Sequence, residues 1–169
     1  APHGGRREPV ELRVAARRPA RQHAPPGAVV AVERVARDRL PPLDRLLEAV
    51  RTSLTRLTPQ QAHDAAKGGA LLVDTRTAAQ RARQGELPGA LVIDRTVLEW
   101  RLDPTCPHRI PEALPGTRVV VLCRQGYSSS LAAASLRALG ADATDVIGGV
   151  EAWAAAGLPM HTGPADVRE

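Results

Sequence analysis

Residues 118–140, RVVVLCRQGYSSSLAAASLRALG, constrain this chain more than any other stretch. Val119 to Leu122 form a short unbroken apolar run rich in β-branched side chains, the pattern of a strand covered on both faces. Cys123 ends the run. A polar loop with Gly126 follows, and then Leu131, the alanines 132–134, Leu136 and Leu139 set a helical pattern stopped by Gly140. A cysteine thus stands at the carboxyl end of a buried strand, where a loop opens onto a helix N-terminus. Such a loop can turn several backbone N–H groups inward, and the helix dipole adds positive potential. A thiol held there loses its proton readily, because fixed donors stabilise its anion. The simpler reading of a cysteine is a small buried hydrophobe, and of Ser128 to Ser130 an ordinary set of helix caps. The placement of Cys123, Gly126 and the three hydroxyls favours thiolate chemistry on an anionic substrate.

Composition narrows the surroundings. Trp100, Trp153 and Tyr127 are all the aromatic residues, so the core has to be built from Ala, Leu and Val, which favours packed helices and parallel strands. Two cysteines, Cys106 and Cys123, leave no disulfide framework, and a reducing, cytoplasmic compartment is expected. No apolar run approaches a membrane span, and no signal-peptide pattern is visible. The net charge of +5 resides in residues 1–40, where nine arginines face four acids, so the remainder is neutral and gives no argument for binding nucleic acid.

The order of elements is that of parallel α/β units. Residues 1–40 mix Pro, Gly and Arg without sustained periodicity and are expected to form a flexible tail. Residues 41–56 begin an amphipathic helical extension, with Leu43, Leu46, Leu47, Val50, Leu54 and Leu57 on one face, expected to pack on its own domain. Thr58-Pro59 starts a second helix, and residues 70–74 form a strand ending in Asp74-Thr75-Arg76. A helical segment over 77–84, a turn at 85–90 and a strand over 91–94 follow. After the connection 95–117 and the central strand–loop–helix come a strand over 143–147 and a helix over 150–156. Residues 161–169 read as a C-terminal tail. In such sheets ligands gather at the carboxyl ends of strands, where Asp74, Asp94 and Cys123 all fall.

Several pieces together resemble the rhodanese family of sulfurtransferases: Val73-Asp74-Thr75-Arg76, the turn 85–90, the loop CRQGYSS from Cys123, and Val146-Ile147-Gly148-Gly149 continuing to Trp153 and Gly157-Leu158-Pro159. They occur in family order over residues 57–160. The resemblance implies a three-layer α/β/α fold around a five-stranded parallel sheet. It also implies that the Cys123 thiolate takes a sulfane sulfur from a small anionic donor such as thiosulfate. The resulting persulfide passes that sulfur to cyanide, a thiol or a sulfur-acceptor protein. No cofactor is implied, and His63 and His108 lack metal-ligand spacing.

Under this reading Cys123 is the nucleophile. Arg124, Gln125, Gly126, Tyr127, Ser128 and Ser129 bind the substrate together with Arg101, and Asp74 and Arg76 form a supporting ion pair. Arg95 is a further candidate for the donor anion, Trp100 for the pocket wall and Cys106 for a resolving thiol. Two features depart from the family pattern: Arg124 is followed by Gln125 where thiosulfate-specific members tend to carry a second basic residue, and Glu86 stands where histidine is usual. Phosphatase loops place five residues between the cysteine and a phosphate-clamping arginine, and here that position holds Ser129. The alternative to an enzyme is a non-catalytic rhodanese-like module that binds a protein or relays sulfur.

Overall fold

The computed structural model describes residues 39–169, so the expected tail over 1–40 lies outside the described residues apart from its last two. Helix α1 (Pro42–Arg51) is followed by α2 (Pro59–Lys67), strand β1 (Leu71–Asp74), α3 (Ala78–Gln84), β2 (Leu91–Val92) and α4 (Leu98–Leu102). The second half runs β3 (Arg118–Leu122), α5 (Ser128–Ala138), β4 (Asp142–Asp145), α6 (Gly149–Ala155) and β5 (Asp166–Val167). Local chemistry explains the helix starts. Thr58 and Thr77 each form a capping box, with Gln61 and Gln80 returning the bond three residues on.

The five strands are all parallel, in the order β4-β3-β1-β2-β5. Side chains alternate along β3 and divide the core into two layers. Val119 and Val121 join Val73, Ile93, Leu98, Leu102 and Leu136 on one face of the sheet. Val120 and Leu122 join Leu57, Ala62, Leu72, Val146, Val150 and Trp153 on the other. Helices on both faces make this the expected three-layer α/β/α arrangement. Helix α1 lies against α5, anchored by Leu47, so the extension packs on its own domain. Leu43 and Leu46 remain largely exposed. No helix among the described residues is long and apolar enough to cross a membrane.

One expectation is corrected. Residues 161–169 are not a free tail: β5 pairs with β2, and the Arg168 N–H donates to Val92 O at 2.8 Å. His161 exchanges two backbone bonds with Glu86, and Arg168 pairs with Glu112 and Asp166. The exposed edge of β2 supplies the backbone partners that the polar, two-residue β5 sequence does not advertise.

Candidate active site

Strand β3 delivers Cys123 to its carboxyl end with only 6 % of its surface exposed. The backbone then curls around the sulfur. The Gly126 N–H donates to Sγ at 3.2 Å and the Ser129 N–H at 3.4 Å, while Ser129 Oγ lies 3.2 Å from Sγ. Ser129 stands in the first turn of α5, so that helix directs its positive end at the sulfur. Burial pushes the Cys123 thiol up, but the Ser128 and Ser129 hydroxyls and the Ser129 and Gln125 amides outweigh it. The thiol is held below its ordinary range.

The loop faces inward because its carbonyls are engaged outside. Cys123 O accepts from the Val150 N–H at 2.9 Å and Arg124 O from the Glu151 N–H at 3.0 Å, both from the first turn of α6. Every peptide here is trans, so a carbonyl turned outward turns the following N–H inward. Two glycines permit the close fit. A Cβ on Gly126 (φ +77°) would come within 2.8 Å of Gly148 N and Val146 O. One on Gly149 (φ +58°) would run into Cys123 O.

Asp74 and Arg76 form a completely buried pair at 2.7 Å, with Arg76 reaching on to Gly85 O. Thr75 between them donates both its N–H and its hydroxyl to Leu122 O at 2.9 Å, bracing the residue before the cysteine. Gly126, Ser128 and Ser129 surround the sulfur, and Tyr127 lies at the rim, about half exposed.

Other side chains take different places. Arg124 pairs with Glu151 at 2.6 Å, and Gln125 donates to the same carboxylate at 3.0 Å, so both side chains lie along the outside of α6. The Arg101 guanidinium donates through Nη1 to His108 O at 2.7 Å, holding the proline-rich connection whose carbonyls need donors. Arg95 pairs with Glu99 one helical turn on. Trp100 and Cys106 line a surface groove with Glu99 and Leu139, to which the Cys123 loop does not contribute.

The structure adds residues that sequence reasoning missed. Asp145, fully buried at the end of β4, accepts from Ser129 Oγ at 3.1 Å and Ser130 Oγ at 2.8 Å. Arg56 grips its carboxylate through Nε at 2.8 Å and Nη2 at 3.0 Å. Arg56 Nη2 and Arg51 Nη2 both donate to Gly126 O. The sequence pattern runs this strand over 143–147, which hides Asp145 in its middle; the structure ends the strand at Asp145, placing the acid at its carboxyl end as Asp74 is on β1.

Together the fold and the cysteine cradle define a rhodanese-type module. The model of the rhodanese-like domain matches residues 58–156, more than half of the chain, and the chain belongs to this family. Among solved structures, a Rhodopseudomonas palustris protein of unknown function described as a possible tyrosine phosphatase is 28% identical. That match covers 71% of this chain and 94% of the other at a TM-score of 0.65. A thiosulfate sulfurtransferase from Pseudomonas aeruginosa is also 28% identical, covering 66% of this chain but only 20% of the larger protein, with a TM-score of 0.54. A rhodanese-like domain from Anabaena shares the fold at 19% identity and a TM-score of 0.52, over 64% of this chain and 79% of that one. No curated protein sequence matches the chain.

Proposed function

We propose that this protein is a sulfurtransferase that works through a persulfide on Cys123. The observation that carries the reading is the buried sulfur receiving two backbone N–H groups and facing two serine hydroxyls. In the first step the thiolate attacks the outer sulfur of thiosulfate or a similar donor. A new S–S bond forms on Cys123, the donor's S–S bond breaks, and sulfite leaves with the electron pair. In the second step cyanide or a thiolate attacks the terminal sulfur, and the electron pair of the persulfide bond returns to Cys123. The amides that hold the thiolate are placed to hold the persulfide anion as well.

The similarity to the Pseudomonas enzyme supports this reading, and the Rhodopseudomonas relative suggests phosphate ester hydrolysis instead. Against phosphatase chemistry stands Ser129, at the position where a phosphate loop needs an arginine to clamp the phosphate through two oxygens. The test is intact-protein mass spectrometry after treatment with thiosulfate, mercaptopyruvate or a low-molecular-weight persulfide. Cys123 is expected to gain one sulfur, about 32 Da, released by cyanide. No adduct with any donor, together with hydrolysis of an aryl phosphate, would replace this reading by the phosphatase one.

A further inference from the structure

The Gly126 carbonyl is the most heavily engaged group of the cradle. It accepts from Arg51 Nη2 at 2.7 Å and from Arg56 Nη2 at 3.1 Å, and Ser130 Oγ lies 3.2 Å away. Two guanidinium donors on one carbonyl are charge-assisted bonds, roughly twice as strong as neutral ones. They fix the Gly126–Tyr127 peptide with its oxygen outward, and the trans geometry turns the Tyr127 N–H inward. The N–H of Gly126 itself donates to Sγ, so the residue gripped from outside is also one that holds the sulfur.

Both arginines lie ahead of residues 58–156, the span that matches the family model. Arg51 is the last residue of α1, and Arg56 sits in the connection to α2. Helix α1 packs on α5, the helix that carries Ser129 and Ser130.

We infer that Arg51 and Arg56 are positioning residues that clamp the Cys123 cradle from behind, so that the segment before the rhodanese module is part of its active site. The inference deepens the sulfurtransferase reading and rests on it for the identity of the anion that the cradle holds. Arg56 has a second duty, since it compensates the buried Asp145 carboxylate. Arg51 is the cleaner probe. Its Nε donates to Ser130 Oγ at 3.1 Å, and its guanidinium lies over the Tyr127 ring, 5.6 Å from the centroid.

Charge makes a consistent account. Around Cys123 the end of β1 contributes Asp74 with Arg76, and the end of β4 contributes Asp145 with Arg56. The rim between the loop and α6 contributes Arg124 with Glu151. Each of these is a neutral pair. Arg51 makes no ion pair among the described residues. Its positive charge is left to favour an anion in the cradle.

The experiment follows Cys123 alkylation by iodoacetamide against pH in the full chain, read by peptide mass spectrometry so that Cys106 is scored separately. Wild type is compared with Arg51→Met, which keeps the apolar stem, with Arg51→Gln and with Arg51→Lys, each checked by thermal unfolding. Arg51→Met and Arg51→Gln are expected to react about threefold to tenfold more slowly at neutral pH and to reach full reactivity at higher pH. Arg51→Lys should recover part of the loss. A folded Met or Gln variant with the wild-type profile overturns the inference. So does collapse of both, which assigns Arg51 to the scaffold. Alkylation needs no sulfur donor, so a shifted profile in a protein that forms no persulfide would sink the proposed function and leave the clamp standing.

Discussion

Ser129 Oγ lies 3.2 Å from Cys123 Sγ, and the hydroxyl has one proton to give. While the sulfur is a thiol, its S–H donates to Oγ and the hydroxyl donates onward to Asp145 at 3.1 Å. When the sulfur ionises, the same hydroxyl turns to it. Asp145 gives up that donor but keeps Ser130 and the two-pronged grip of Arg56. A buried carboxylate with spare donors thus lets the serine change partners without stranding a charge. The rotation lies within the structure as built and requires no movement of the backbone.

Ser129→Ala should therefore raise the pH at which Cys123 becomes reactive. The folded thiol titrates below its ordinary value of 9.0: burial opposes ionisation, and the Ser128 and Ser129 hydroxyls with the Ser129 and Gln125 amides prevail. Reactivity accordingly appears as pH rises through the lowered value, earlier than for an ordinary thiol. Losing one hydrogen bond to the anion should slow alkylation at neutral pH about tenfold. The pH–rate profile of alkylation decides it, and an unchanged profile would remove Ser129 from the cradle's working parts.

Gly149 should not tolerate alanine. Its φ of +58° is strained for an L side chain, and the added Cβ would meet Cys123 O and the neighbouring Gly126 N. The loop would be forced off α6, breaking the bonds from Val150 and Glu151 that turn its carbonyls outward. Cyanide-dependent turnover should fall about a hundredfold or more, in line with a lost donor set for a developing anion. Far-UV circular dichroism should show the rest of the fold intact. Turnover near wild type would mean that the loop's inward orientation does not depend on this contact.

The pair Asp74–Arg76 should matter to stability first. Both side chains are completely buried, and Arg76 adds bonds to Gly85 O and Gln84. Removing one partner leaves an uncompensated charge in the core, at a cost of about 3–5 kcal/mol. Arg76→Met should lower the unfolding temperature by roughly 10 °C or more, measured by calorimetry. A shift of only a degree or two would show that the site relaxes to admit water.

The same residues show what a chain can declare in advance. The apolar run before Cys123, the glycine in its loop and the acid ending β1 are local signals, and each lies where its sequence pattern puts it. The partners of the loop are not local. Arg51 meets Gly126 across 75 positions and Arg56 meets Asp145 across 89, and nothing in the neighbourhood of either arginine distinguishes it from the other arginines of the chain. Strand β5 was hidden for a related reason: Asp166 and Val167 have no strand pattern of their own and become a strand because β2 offers an open edge. Arg124 illustrates the reverse. Its position beside the cysteine suggests an anion-binding side chain, and a carboxylate 27 positions later holds it along α6.

That carboxylate sets up the last prediction. Glu151 holds Arg124 at 2.6 Å and Gln125 at 3.0 Å on the solvent side of the cradle, and these contacts keep its own pKa below the usual carboxylate range. A dianionic donor approaching Cys123 over this rim meets a neutral pair rather than a free cation. Glu151→Gln keeps the side-chain length, releases Arg124 and removes one negative charge from the path. If the donor is thiosulfate, its KM should fall about twofold to fivefold with kcat little changed, because only attraction to the approaching anion improves. The gain should shrink as added salt shortens the reach of the exposed charge. Stability should hardly respond, since an ion pair this exposed contributes little. Steady-state kinetics at low and high ionic strength test all of this together. A KM indifferent to both the substitution and the salt would mean that the donor reaches the sulfur by another face or carries no charge, and a neutral persulfide would then be the donor to examine.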